Sequence, residues 1–237
     1  MSLLSRAWSV IKTLLIPTPA IPVTLPPSLT FAGETILITG GTSGLGLSAA
    51  ILFTTLHAST VIITARTAAK GDVARRLIEA ETGRTGVVAV RVLDMDSFAG
   101  VRAFVAALKQ AVPRVDRVLL NAGVHNFHYE RLAGGWEADL QVNVLSTALL
   151  GVLVLDWMRA GAAGGKGGAP HLVFVGSGAH IEAVDVGDGT WPGQDVLGFW
   201  NRETSFVNGR MQYGASKLLL QYVAREVAAL AGGKEGR

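Results

Sequence analysis

Tyr213 and Lys217 stand four positions apart in the run Tyr213-Gly-Ala-Ser-Lys217, so on a helix their side chains share one face about a turn from each other. A phenol, with an ordinary pKa of about 10, is a poor proton shuttle at neutral pH. A neighbouring ammonium stabilises the phenolate and lowers that value. Pairs of this kind also occur on ordinary helix faces, so chemistry requires partners. Ser177 is one: it follows the apolar run 171–175 through Gly176, at the carboxyl end of a strand, where open α/β sheets hold their ligands. Its hydroxyl can donate to an oxygen that gains negative charge, although taken alone it is a turn serine. Asn143 is the other, a polar intrusion in the long apolar stretch 136–158. A buried amide there must find hydrogen-bond partners; a kink or capping role is the plainer alternative.

A second constellation lies near the amino end. The strand Ile36-Leu37-Ile38 runs into Thr39-Gly40-Gly41-Thr42-Ser43-Gly44-Leu45-Gly46 and then a helix. Backbone N–H groups and the positive helix end at such a turn cradle a pyrophosphate, and side chains at Gly40, Gly44 or Gly46 would block the approach. Ser43 and Leu45 sit inside the same turn. The spacing G-x-x-x-G-x-G is a variant of the common fingerprint and is weak as a bare pattern; the strand before it and the helix after it give it weight. At the end of the second strand a carboxylate would bind an adenosine 2′-hydroxyl, whereas a basic residue accommodates a 2′-phosphate. The chain has Arg66 there, with Lys70 a helical turn on and no acid beside it. NADP(H) is therefore expected over NAD(H), the alternative for Arg66 being a solvated surface arginine.

The elements that must position these residues alternate short β-branched runs with longer helical stretches, the signature of βαβ units and a parallel sheet. Strands are expected at 35–39, 60–65, 87–93, 115–120 and 171–175, and helices at 45–57, 70–81, from 97 to about 111, 136–158 and 212–231. The segment 181–211 stops alternating and collects Gly, Asp, Trp, Asn and Pro, as long substrate-side loops do. Within 237 residues, 49% hydrophobic and 16% charged, one α/β domain is expected. With no cysteine, thiolate zinc, iron–sulfur, disulfide and cysteine-nucleophile chemistry are excluded, and an intracellular setting is favoured. A net charge of +3 without a basic block argues against nucleic acid as a partner. No metal site is expected.

Residues 1–30 form an apolar, proline-rich extension. Its apolar part, residues 3–16, is interrupted by Arg6 and Lys12, too short and too charged for a transmembrane span. It suits either an interfacial helix in peripheral contact with a membrane or a helix packed on the domain itself.

Taken together, Thr39–Gly46, Asp94 after the third strand, Asn121-Ala122-Gly123 after the fourth, Asn143, Ser177 and Tyr213-Gly-Ala-Ser-Lys217 resemble the short-chain dehydrogenase/reductase family over nearly all of 31–230. The resemblance implies a Rossmann-like doubly wound parallel sheet. It implies an NADP(H)-dependent oxidoreductase moving hydride between nicotinamide and a lipophilic carbonyl or secondary alcohol. In such enzymes the residue at Asp94 binds the adenine edge, Asn121 supports the sheet beside the adenosine ribose, and Lys217 also holds the nicotinamide ribose. Asn143 bends its helix and holds a water in the proton relay. On residues alone, Asp94 reads equally as a helix cap or a solvated turn residue, and Asn121 as a turn former. The spacing of 36 positions from Ser177 to Tyr213 is more than compact members have. That length, with Arg66-Thr67 and Lys70-Gly71, looks most like the branch of retinol dehydrogenases, WW-domain oxidoreductases and fungal natural-product reductases. Trp191, Phe199, Trp200 and Phe206 would then suit a bulky apolar substrate or form the loop's own small core. The chain is expected to lack the family's last two strands, which makes a catalytically weak or inactive chain, acting as a nucleotide-binding or dimerisation partner of a full-length relative, the competing function. A Rossmann methyltransferase would need an acid after the second strand and has no use for Tyr213 and Lys217.

Overall fold

The computed structural model describes residues 24–162, 169–184 and 193–232. The apolar stretch 3–16, Trp191 and part of the 181–211 segment lie outside them.

Five strands, β1 (Thr35–Ile38), β2 (Thr60–Ala65), β3 (Val88–Val92), β4 (Arg117–Leu120) and β5 (His171–Phe174), form one parallel sheet in the order β3-β2-β1-β4-β5. Strand side chains alternate between faces, and the central strands are apolar on both. Ile36 and Ile38 of β1, with Val61 and Ile63 of β2, enter one core. Leu37 and Ile62 enter the other, with Val118 and Leu120 of β4. Helices cover both faces, as a parallel sheet requires. On the Ile36 side lie α1 (Gly44–Thr55) and α2 (Ala68–Thr82), through Ala50, Ala74 and Ile78. On the Leu37 side lie α3 (Phe98–Ala111) and α4 (Thr147–Ala162), through Phe104, Leu108, Leu150 and Trp157.

Local chemistry fixes the helix ends. Thr67 and Ser97 cap α2 and α3 by accepting from the backbone N–H of Lys70 and Gly100. Gly83 ends α2 with φ +68°, the left-handed cap position that glycine takes without strain.

The expected single helix over 136–158 is instead a turn at Trp136, a π-helix (Leu140–Ser146) and then α4. The wider winding has side-chain support. The Thr147 hydroxyl donates to the carbonyl of Val142 five residues back at 2.8 Å, and Gln141 Nε2 donates to Ser146 Oγ at 2.8 Å. Such bulges inside helices often mark functional sites. The run 140–161 is long and apolar enough to cross a membrane, but most of its apolar 18-residue window is buried inside the fold, as in a core helix of the layered domain.

Beyond β5, α5 (His180–Val184), α6 (Val196–Trp200) and the 3₁₀ turn Glu203–Ser205 lead to α7 (Gly209–Leu230), whose first turn is capped by Asn208. Trp200 joins Leu140, Val144, Ala183, Ala215, Leu218 and Leu219 in a third core. Phe199 packs edge-on against Trp200, and Phe206 against Tyr129. Trp200 thus belongs to a core shared with the π-helix and α7.

Candidate active site

The strand order reverses direction between β1 and β4, the crevice where open α/β sheets bind ligands. A cavity of about 330 Å³ lies there. Its walls come from the carboxyl ends of the strands and the turns after them: Gly40, Thr42 and Ser43 after β1, Thr64 to Arg66 with Lys70 at β2, Leu93 to Asp96 after β3, and Asn121 to Val124 after β4.

The glycine turn is held in shape by its neighbours. Thr39 Oγ1 accepts from the N–H groups of Asn121 and Ala122, both at 2.9 Å. The Asn121 amide donates to the carbonyl oxygens of Thr39 at 3.0 Å and Gly40 at 3.4 Å. Gly40 turns at φ +67° and donates its N–H to Thr64 Oγ1 at 3.1 Å. A Cβ on Gly46 would lie 2.3 Å from the Gly40 oxygen and 2.5 Å from Asn121 Nδ2, so the missing side chain lets α1 dock against the turn. The sequence assigned all three glycines and Leu45 to ligand contact. The cavity is lined by Gly40 and Ser43 but not by Gly44, Leu45 or Gly46, and Leu45 is 75% exposed. The lack of a side chain at Gly46 serves packing of α1 on the turn.

The donor set fits a phosphorylated ligand. No acid occupies the first turn of α1, and Ser43 makes no side-chain cap there, leaving the helix end positive. Arg66 and Lys70 are exposed on the cavity wall, and neither side chain has an ion-pair partner among the described residues. Asp94 also lines the cavity, with its oxygens already accepting from Asp96 N and Ser97 Oγ at 2.9 Å. Its turn role is thus observed. Thr64, which holds Gly40, was not singled out from the sequence; a threonine ending a β-branched strand carries no signal of its own.

The second half of the site is built by the π-helix and α7. Asn143 is fully buried and satisfied: Oδ1 accepts from Val124 N at 2.8 Å, and Nδ2 donates to Val124 O and Ser216 Oγ, both at 2.9 Å. Lys217 is 4% exposed and its Nζ donates to Val175 O at 3.0 Å. Burial holds its ammonium below the ordinary 10.5, while the charge of Asp139 opposes that shift. Both side chains converge at the cavity end, where a Cβ on Gly123 would stand 3.0 Å from Asn143 Oδ1 and 3.4 Å from Lys217 Nζ. Lys217 Nζ is also 5.7 Å from the Tyr213 ring centre, within cation–π range. Ser177 is held near this group without a bond to it. Its Oγ accepts from Ala179 N at 3.2 Å, and a Cβ on Gly214, next to Tyr213, would lie 2.7 Å from Ala179 O. No hydrogen bond joins the Ser177 and Tyr213 hydroxyls among the described residues.

Two buried carboxyls escaped the sequence reading. Glu137 accepts from Asp139 N, Leu140 N and Gln212 Nε2, the last at 2.6 Å; burial raises its pKa, against those bonds. Asp139 accepts from Asn126 N at 3.1 Å through Oδ1, and its Oδ2 has no partner. Burial and then the Glu137 charge push its carboxyl up to about 7, against the Asn126 bond and Lys217. Two acids ahead of an apolar helix read as ordinary first-turn acids, and only the tertiary contacts reveal them as buried.

Comparisons with known proteins agree with this fold. The family profile described as short chain dehydrogenase matches residues 34–187. The short-chain dehydrogenase/reductase ffsI of Aspergillus flavipes is 41% identical over 213 residues, covering 88% of this chain and 61% of its own length. The short chain dehydrogenase macD of Penicillium terrestre is 35% identical, covering 82% of this chain and 60% of its own length. The chain thus spans about three fifths of the length of these curated relatives. Among solved structures, the Pseudomonas aeruginosa RhlG/NADP active-site complex superposes with TM-score 0.66 at 24% identity, covering 89% of this chain and 72% of that one. A short chain dehydrogenase of Shigella flexneri complexed with NADP superposes with TM-score 0.62 at 24% identity, covering 85% and 73%.

Proposed function

The chain belongs to the short-chain dehydrogenase family, and from that premise we propose that it is an NADP(H)-dependent oxidoreductase acting on a lipophilic carbonyl or secondary alcohol in natural-product or lipid metabolism. The observation that carries this reading is one continuous site. A glycine turn and two cations without ion-pair partners among the described residues line the cavity at one end, and Asn143 and Lys217 converge on its other end at Gly123.

Arg66 and Lys70 would hold the 2′-phosphate, Asp94 the adenine edge, and Lys217 the nicotinamide ribose. When bound, the nicotinamide supplies or takes the hydride. Tyr213 gives a proton to the substrate oxygen in reduction and takes it back in oxidation. The Ser177 hydroxyl donates to the same oxygen as charge develops on it. Asn143 holds the backbone of Val124 beside Lys217, where the relay behind the phenol begins. Association with a second copy and peripheral membrane contact through residues 3–16 are part of the proposal, as is a cytoplasmic or membrane-peripheral location.

The test is NADPH oxidation with a panel of apolar ketones and aldehydes, beside titration with NADPH and NADH. Oxidation is expected with at least one class, with NADPH the tighter ligand and the more sensitive to salt, because charge meets charge at Arg66. Arg66→Ala removes most of the preference. Equal affinities for the two nucleotides before mutation, with no oxidation across the panel, overturn the reading.

A further inference from the structure

Residues 124–127, just past the Asn121-Ala122-Gly123 turn, are gripped from two sides. From the π-helix, Asn143 binds both backbone groups of Val124, and Asp139, one turn earlier, accepts from the N–H of Asn126 at 3.1 Å. From the other side the start of α7 presses on the segment: a Cβ on Gly209 would stand 2.1 Å from Asn126 O and 2.8 Å from Phe127 Cα. His125 lies between the two held residues. Its imidazole stacks on the Tyr213 ring, with centres 4.6 Å apart and planes 25° apart, and Phe127 continues the row at 5.0 Å. His125 is itself exposed, so its removal opens no internal cavity and the fold does not depend on it. What the ring touches is the phenol.

We propose that His125 is a positioning residue for Tyr213: clamped in place through Val124 and Asn126, its imidazole covers the phenol and fixes where the hydroxyl points. The inference rests on Tyr213 as the proton donor of the proposed reaction. A half-exposed tyrosine otherwise samples several ring orientations, and a proton donor is effective only within hydrogen-bond reach of its oxygen. The stack needs a flat ring and no particular charge, so another aromatic residue should replace histidine and an aliphatic one should not.

The experiment uses the full chain labelled with 3-fluorotyrosine. It contains three tyrosines, and Tyr213→Phe identifies the Tyr213 fluorine resonance. His125→Leu is expected to move that resonance toward the position of Tyr222, which is 51% exposed, and His125→Phe to hold it near the wild-type position, with thermal midpoints unchanged in both. In NADPH turnover, His125→Leu is expected to lower kcat roughly tenfold with KM for NADPH unchanged, the order of loss that misorientation carries, and His125→Phe to restore most of it. A Tyr213 resonance indifferent to His125→Leu overturns the proposal, as does full turnover by that variant. If the resonance moves as expected while the wild-type chain oxidises no NADPH, the stack stands and the reductase reading falls.

Discussion

Lys217 donates through Nζ to the backbone oxygen of Val175 at 3.0 Å, which ties the helix carrying Tyr213 to the end of the strand that leads to Ser177. The bond does two things at once. It anchors a buried ammonium that has no carboxylate within ion-pair distance among the described residues, and it sets the distance between the two halves of the proposed catalytic group.

Tyr213→Phe and Lys217→Ala should therefore differ. The first removes only the proton donor, and turnover should fall by roughly a hundredfold or more, the size of a general acid–base contribution, with nucleotide affinity nearly unchanged. The second removes the buried ammonium and leaves the Val175 oxygen without that donor. Both turnover and nucleotide affinity should drop. Steady-state kinetics with equilibrium nucleotide titration read the two effects separately, and identical behaviour of the variants would refute the division of labour.

Asp139 gives the fold a pH dependence of its own. Its carboxyl is raised from an ordinary 3.8 to about 7 in the folded chain, so the folded state holds a proton that the unfolded state releases. The associated stability is fully present below 3.8 and is lost as the pH rises through about 7, on the order of a few kcal/mol. Glu137 shifts in the same direction, while the lowered Lys217 acts with the opposite sign below its ordinary 10.5. Asp139→Asn keeps an oxygen for the Asn126 N–H and cannot ionise. Urea midpoints from pH 5 to 8 should fall more steeply for the wild-type chain than for this variant; parallel slopes would show that Asp139 is not the group responsible.

Gly46→Ala should separate docking of α1 from direct ligand contact. Its Cβ would press on the Gly40 oxygen and the Asn121 amide, which are backbone and a doubly bonded side chain rather than a flexible tip. Overpacking of this kind costs about 1–3 kcal/mol, and the displaced turn should also weaken nucleotide binding. Gly44→Ala, where a Cβ meets nothing within 4 Å but φ is +52°, should cost about 1 kcal/mol from backbone strain alone. Thermal unfolding of the two variants, each with and without NADPH, checks the ranking.

Much of the layered architecture was legible without coordinates. The apolar runs at Ile36–Ile38 and Val61–Ile63 could only be strands buried on both faces, and the helical stretches between them forced parallel pairing. Arg66, Lys70, Asp94 and Asn121 reached the cavity wall as their positions after successive strands implied, because in a parallel sheet every strand ends on the same side. Asn143 was recognisable as a buried amide in need of partners, and it has three bonds.

What stayed hidden depends on partners distant in sequence. Nothing in the order of residues shows that the lack of a side chain at Gly46 is needed by Asn121, 75 positions on. The π-helix arises where the Thr147 hydroxyl finds the Val142 carbonyl, a choice that apolar periodicity does not encode. Trp200 looked as suitable for a substrate surface as for a core until α7 and the π-helix closed around it. The Glu137–Asp139 pair and the His125–Tyr213 stack are likewise products of tertiary packing. Periodicity determines which face of an element is buried, because that is a local property of the chain; which polar groups then share the buried space is decided only when separate elements meet and each donor must find its acceptor.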